Sequence, residues 1–253
     1  MAGYNSSTSA GTLVTNFFPQ TGTFTKPKFW AKMLWFIDNT SSGGDRRVIT
    51  YAIAGLNKIP NESVDLIVTE PSLDPNNTLT YTEYVNWIDQ WMEECKRVLT
   101  ASGSIYIICA WESSSLYHSV LGKKFIVQSR ITAERQIENI ELSQWKNKIS
   151  DIWFATKTND YIFNQNYIVN GKNINSPKPD EIKDNLWFHL DYEEIIHRII
   201  KASSFKLNWI LDPFMNVGAV GVVAKKRGRR FIGFESNQDQ ILLAMKTINE
   251  REN

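Results

Sequence analysis

"NWILDPFMNVGAVGVVAKKRGRRFIGFES", residues 208–236, holds a strand, a turn, a helix and a second strand in one short stretch. Trp209, Ile210 and Leu211 form an apolar run of the kind a strand covered on both faces shows. Asp212-Pro213-Phe214 ends that strand, and Met215 to Gly221, with Gly218 and Gly221, leads into a helix. Such a turn cradles a ligand that needs close backbone approach and the positive end of a helix. The following strand ends at Glu235, where an acidic side chain can accept both ribose hydroxyls of an adenosine-containing cofactor. A lone Gly-x-x-Gly is weak, because a turn built for packing explains it nearly as well. The acidic residue at the next strand end is what favours a nucleoside cofactor.

A second strand end stands far upstream. "SVDLIVTEPSLDP" (Ser63–Pro75) opens with the apolar run Val64, Leu66, Ile67 and Val68, then breaks at Thr69-Glu70-Pro71-Ser72-Leu73. In open α/β sheets ligands bind at the carboxyl ends of strands. Between and around these two turns, strand and helix patterns alternate. "TYTEYVNWIDQWMEECKRVL" carries Tyr84, Trp87, Ile88, Trp91, Cys95 and Val98 on one stripe, with Thr82 as its expected cap and "TASG" as its end. "SIYIICAW", "KFIVQSRITAE" and "DIWFATKTNDYIF" read as strands, "DYEEIIHRIIKASS" as a helix, and "NYIVNGKNINSPKPDEIKDN" as a loop. "RRVITYAIAGL" reads as a strand followed by a short helix, and "PKFWAKMLWFIDNT" as a short helix or an ordered segment. The expected architecture is α/β, a doubly wound and mostly parallel sheet covered on both faces. Residues 1–25, rich in Ser, Thr and Gly, read as a flexible arm ahead of a domain over 26–253.

Bulk properties narrow the class. With 253 residues, 42% hydrophobic and 22% charged, the chain suits a soluble α/β domain. A net charge of +1 neither demands nor excludes nucleic acid, so any basic surface must be local. Cys95 and Cys109 make no metal-type spacing and read as buried thiols of a reducing cytoplasm. His118, His189 and His197 are scattered, which argues against a metal site. No signal peptide or membrane-spanning run is apparent. The dense basic run Lys225, Lys226, Arg227, Arg229 and Arg230 fits a helix end with cations at its negative pole and Gly228 as the cap.

Residues 208–236 resemble the cofactor segment of the amino-group DNA methyltransferases, which usually reads D-P-F-x-G-x-G-T-T and continues to G-R-x-(F/Y)-I-G-x-E. "NESVDLIVTEPSLDP" resembles their catalytic segment, usually D-L-(I/V)-x-(D/S)-P-P-Y. The catalytic turn precedes the cofactor turn, the order of the β group, and the likeness runs from about Arg47 to the C-terminus. It implies a Rossmann-like S-adenosylmethionine-dependent methyltransferase fold, with a recognition-like insertion over 128–185. It also implies Asp212, Pro213, Phe214, Asn216, Gly218 and Glu235 as cofactor residues, and Glu70, Pro71, Ser72 and Leu73 as the catalytic turn. Arg130, Arg135, Trp145, Lys146 and Lys148 fall in the recognition region as candidates to meet phosphates and a base, at even odds with a solvated face.

The same comparison exposes departures. The family flips an adenine from the stack, accepts its amino hydrogens on a carboxylate or amide and a proline carbonyl, and stacks an aromatic ring on the base. Glu70 replaces the shorter acid, and its extra methylene displaces the carboxylate by roughly an ångström, an error that can cost about a hundredfold in rate. Ser72 replaces the second proline, and Leu73 brings no π face to a stack worth about 1–3 kcal/mol. Asn216 occupies the first glycine position, Ala219 and Val220 replace a hydroxyl pair, and Asp191-Tyr192 stand where Lys and Pro of an H-P-T-Q-K-P run would fall. The expectation is a degenerate subunit that binds S-adenosylmethionine weakly or not at all. It would support DNA binding beside an active methyltransferase in a hetero-oligomer, or as a homodimer. An active adenine N6-methyltransferase with unusual motifs, and a binding module without cofactor, are the alternatives.

Overall fold

Two buried strands lie side by side at the centre of the protein, and each ends in one of the two turns singled out above. The computed structural model describes residues 12–15, 33–36, 47–71, 79–134, 148–164 and 184–250. Among these the strands are β1 (Thr12–Thr15), β2 (Met33–Phe36), β3 (Val64–Thr69), β4 (Leu99–Ala110), β5 (Ile126–Glu134), β6 (Ile149–Thr156), β7 (Leu186–Trp187), β8 (Trp209–Asp212) and β9 (Arg230–Gly233). The helices are α1 (Arg47–Leu56), α2 (Tyr81–Val98), α3 (Trp111–Lys124), α4 (Tyr192–Ser203), α5 (Ala219–Lys226) and α6 (Gln238–Glu250).

Seven strands form one sheet in the order β7-β5-β6-β4-β3-β8-β9. β3 pairs in parallel with β4 and β8, β8 with β9, and β5 with β7; β6 runs antiparallel to both its neighbours. The apolar runs have this form because each strand buries both faces. Along β3, Leu66 and Val68 point into one core while Ile67 points into the other. Along β4, Tyr106 and Ile108 alternate in the same way with Ile105, Ile107 and Cys109. Helices α1, α2 and α3 cover one face, and α4, α5 and α6 the other. This is the expected doubly wound, mostly parallel α/β sheet. No helix among the described residues is long and apolar enough to cross a membrane.

The local differences have physical causes. Residues 47–56 are helical throughout rather than strand then helix. Tyr51, Ala52 and Leu56 are buried in the core beneath this helix, and that packing overrides the strand preference of Val48, Ile49 and Thr50. Within the expected arm, Thr12–Thr15 pairs antiparallel with Met33–Phe36, so both segments contribute strands. The chain passes from α2 into β4 at Leu99, so "TASG" lies inside a strand rather than ending the helix. β5 and β6 are integral to the main sheet although they fall largely within 128–185; residues 135–147 and 165–183, including most of the expected loop, lie outside the described residues.

The cap of α2 is Thr80, not Thr82. Thr80 is extended, its hydroxyl accepts from the Glu83 backbone N–H at 3.3 Å, and the Glu83 carboxylate accepts from the Thr80 N–H at 2.9 Å. Thr82 already lies inside the helix, where its hydroxyl has no orphan amide to serve. Thr80→Ala is expected to lower stability by about 1 kcal/mol in urea denaturation, with Thr82→Ala changing it little.

Candidate active-site cleft

The pairing of β3 with β8, Leu66 beside Ile210 and Ile67 beside Leu211, sets the two turns against each other at the carboxyl edge of the sheet. A single bond locks them there. The Thr69 hydroxyl donates to Asp212 Oδ1 at 2.7 Å, and the Phe214 backbone N–H donates to the same oxygen at 3.1 Å. Phe214 anchors the second turn from below. Its ring meets Trp91 at 5.3 Å, Trp87 at 5.4 Å and Tyr51 at 6.1 Å between centroids, all edge-on. The tryptophan stripe of α2 is therefore core, and it holds the turn in place.

The rest of the turn is held by its backbone. Met215 N–H donates to Phe234 O at 2.9 Å, and Phe234 N–H to Asp212 O at 3.1 Å. Gly233 allows this approach, since a Cβ there would sit 2.4 Å from Met215 Sδ. Gly218 caps α5 in the left-handed region at φ 83°, and a Cβ would stand 2.9 Å from Ala244 Cβ. Asn216, in the first glycine position, also has positive φ, at 48°. Asn tolerates that region better than most residues, so the turn keeps its path without the glycine.

Glu235, the expected ribose acceptor, also has a structural part in the turn. Its carboxylate takes backbone N–H bonds from Ser236 at 2.7 Å, Asn237 at 2.9 Å and Asn216 at 3.1 Å, and the residue is buried. It fastens the turn after β8 to the end of β9. The carboxylate of Asp212 is buried as well. Burial pushes its pKa up to about 7, with the charges of Glu70 and Glu235 adding to the rise and the Thr69 and Phe214 bonds opposing it.

These turns wall a cleft of about 320 Å³. Glu70, Pro71, Asp212, Phe214 and Asn216 line it, as the sequence predicts, together with Ala219 and Val220 from the altered hydroxyl pair. Pro213 is buried in the same turn, and Gly218 packs behind it against α6. Ser72 and Leu73 lie outside the described residues, as do Arg135, Trp145 and Lys146. Lys148 is exposed just ahead of β6. Arg130 stands away from the cleft lining, its Nε 2.8 Å and Nη2 3.0 Å from the carboxylate of buried Asp151. Sequence reasoning missed Cys109 and Ala110, which line the cleft at the carboxyl end of β4, Ser113 in the first turn of α3, and Tyr192 at the start of α4. The end of the "SIYIICAW" strand was the available signal for the first two. Tyr192 carries only the signal of a departure from the family's motif.

The remaining basic run is structural. Arg229 is buried and donates to Ser204 O and Arg227 O, each at 2.6 Å, while Arg230 lies over the Trp209 ring. Gly228, at φ 72°, follows the helix end as expected. Cys95 and Cys109 are buried free thiols, and no metal-binding cluster occurs among the described residues.

The sequence model of the N6_N4_Mtase family, described as DNA methylase, matches residues 64–246, which hold both turns and the sheet between them. The chain belongs to this DNA methylase family. Among similar proteins, the DNA adenine methyltransferase YhdJ of Escherichia coli (strain K12) is 27% identical over 250 residues, covering 83% of this chain and 85% of the relative. The type II methyltransferase M.HpaI of Haemophilus parainfluenzae is 26% identical over 242 residues, covering 83% and 76%. The solved PvuII DNA methyltransferase, specific for cytosine N4, superposes with a TM-score of 0.69 at 14% identity, covering 90% of each chain. The fold is therefore that of the DNA methylases.

In this methylase the Asp212 proton couples pH to stability. The folded chain keeps that proton up to about pH 7, whereas an unfolded aspartate releases it near pH 4. Its contribution to stability is complete below pH 4 and is lost as the pH rises to 7. Asp212→Asn, which mimics the protonated form, should flatten this loss; denaturation midpoints of both proteins across pH 4–8 will converge at the acid end and separate towards neutrality.

Proposed function

We propose that this chain is an adenine-N6-type DNA methylase subunit whose own chemistry is degenerate and which supports DNA binding by an active methyltransferase partner. One observation carries the proposal. The residues that depart from the family pattern at Glu70, Asn216, Ala219, Val220 and Tyr192 all line one cleft, while Thr69, Asp212, Phe214, Gly218 and Gly233, which frame it, keep contacts that depend on their identity. Substitution concentrated on the lining of one cleft alters what it contacts, whereas loss of the frame would cost the fold.

S-adenosylmethionine, when bound, supplies an electrophilic methyl group. Asp212, Phe214, Asn216 and Gly218 would hold it in the cleft, whose turn retains its course. The fit is impoverished by Ala219 and Val220, which offer no hydroxyl; Glu235, whose Oε2 accepts only the Asn216 N–H, keeps acceptor capacity for a ribose hydroxyl. For a flipped adenine, Glu70 and the Pro71 carbonyl would accept the amino hydrogens, with Glu70 displaced by its extra methylene. DNA is the proposed macromolecular partner, with Arg130, Arg135, Trp145, Lys146 and Lys148 as proposed contacts.

A second reading is favoured by the place of Glu70 itself, which lines the cleft beside Pro71: an active enzyme with glutamate as acceptor. A tritiated-methyl assay on single- and double-stranded DNA separates the two, using the chain alone and with an intact D-P-P-Y relative as partner. The expected result is no incorporation by the chain alone, and activity of the assembled complex nearly unchanged by Glu70→Ala. Robust incorporation by the lone wild-type chain, abolished by Glu70→Ala, would establish the second reading.

A further inference from the structure

Along the edge of α3 runs a row of side chains that the cleft does not use. Trp111, the first residue of α3, is 57% exposed. It follows Ala110, which lines the cleft. Seven residues on, along the same stripe of the helix, the exposed His118 ring stacks on Trp153 of β6 with centroids 4.3 Å apart and an interplanar angle of 27°. Arg130, cross-strand from Trp153, brings its guanidinium within 5.9 Å of the same ring and keeps 51% of its side chain exposed.

This row is braced from behind. Asp151, 1% exposed, binds two N–H groups of Arg130 and accepts from the Ser114 hydroxyl. The Trp153 indole N–H donates to the same hydroxyl at 3.1 Å. A surface arginine needs no such support merely to be solvated. Held in this way, its planar group loses little freedom when a second planar group meets it.

We infer that Trp111, His118 and Arg130, stiffened by Trp153, form a stacking platform for unpaired DNA bases beside the cleft. The inference rests on the DNA-binding reading proposed above and adds the surface and the form of DNA. Flat rings and a guanidinium plane suit bases, which all offer a π face. The row begins at the cleft wall, where a strand with one base extruded would leave it. Asp151 offsets the charge of Arg130, so stacking rather than phosphate attraction carries the contact.

The test is fluorescence anisotropy of the full chain with a labelled oligothymidylate and with a mixed-sequence duplex, over a salt series. Trp111→Ala and His118→Ala change exposed side chains and leave the Asp151–Arg130 pair intact; thermal melting checks their folding. Each should weaken oligothymidylate binding about tenfold while leaving the salt slope unchanged, and Trp111→Phe should restore most of the loss. Wild-type affinity in both alanine variants overturns the platform, whether or not a protein contact is lost. Binding of duplex without oligothymidylate overturns the platform alone. Binding of neither form overturns the DNA-binding reading with it.

Discussion

The hydrogen bond from Thr69 to Asp212 joins residues 143 apart in sequence at the ends of two adjacent strands. It is buried, so losing Asp212 would leave the Thr69 hydroxyl without this partner. Asp212 spends the same oxygen on the Phe214 N–H, which bends the chain after Pro213 and sends the Phe214 ring down between Trp87 and Trp91. The turn after β3, the turn after β8 and the aromatic core of α2 are thus one mechanical unit. A substitution at any of these positions would be felt in the fold before it was felt in the chemistry.

That constraint gives several residues of the two turns a structural duty of their own. Gly233 is fixed by the approach of Met215, and Gly218 by its left-handed backbone and by Ala244. Glu235 is fixed by the three N–H groups it binds. Asn216 is exposed, and its left-handed backbone suits Asn as well as glycine. Ala219 and Val220 begin α5, where Val220 also packs into the core. Asp212 and Phe214 serve the frame and the lining at once.

Much of the architecture was legible because the signals were of the strongest kind. Apolar runs ending at Asp212 and Thr69, and the single stripe from Tyr84 to Val98, each obey one period and leave little choice. The adjacency of the two turns also followed from the family order. The helix at 47–56 did not, because Val48, Ile49 and Thr50 favour a strand and only burial of Tyr51 and Leu56 decides against it. Thr80 and Thr82 are equally good caps by type, and the chain direction at Thr80 separates them. The chemistry of Glu235 at a strand end suggests a ribose acceptor, and the backbone amides that also hold it can be seen only in three dimensions. The Arg130–Asp151 pair joins two strands across a hydrogen-bonded register, information that no local pattern contains. It moves Arg130 from a list of loose phosphate contacts to a braced position on the sheet.

Under the proposed function, the cleft keeps its frame while its contacts to S-adenosylmethionine are impoverished. Titration calorimetry of the wild-type chain with S-adenosylmethionine, and with S-adenosylhomocysteine to remove the sulfonium charge, tests this most directly. Weak or undetectable heat from either ligand at micromolar concentrations is expected, in a protein whose melting remains cooperative. Saturable, low-micromolar binding of S-adenosylmethionine by the chain alone would contradict it.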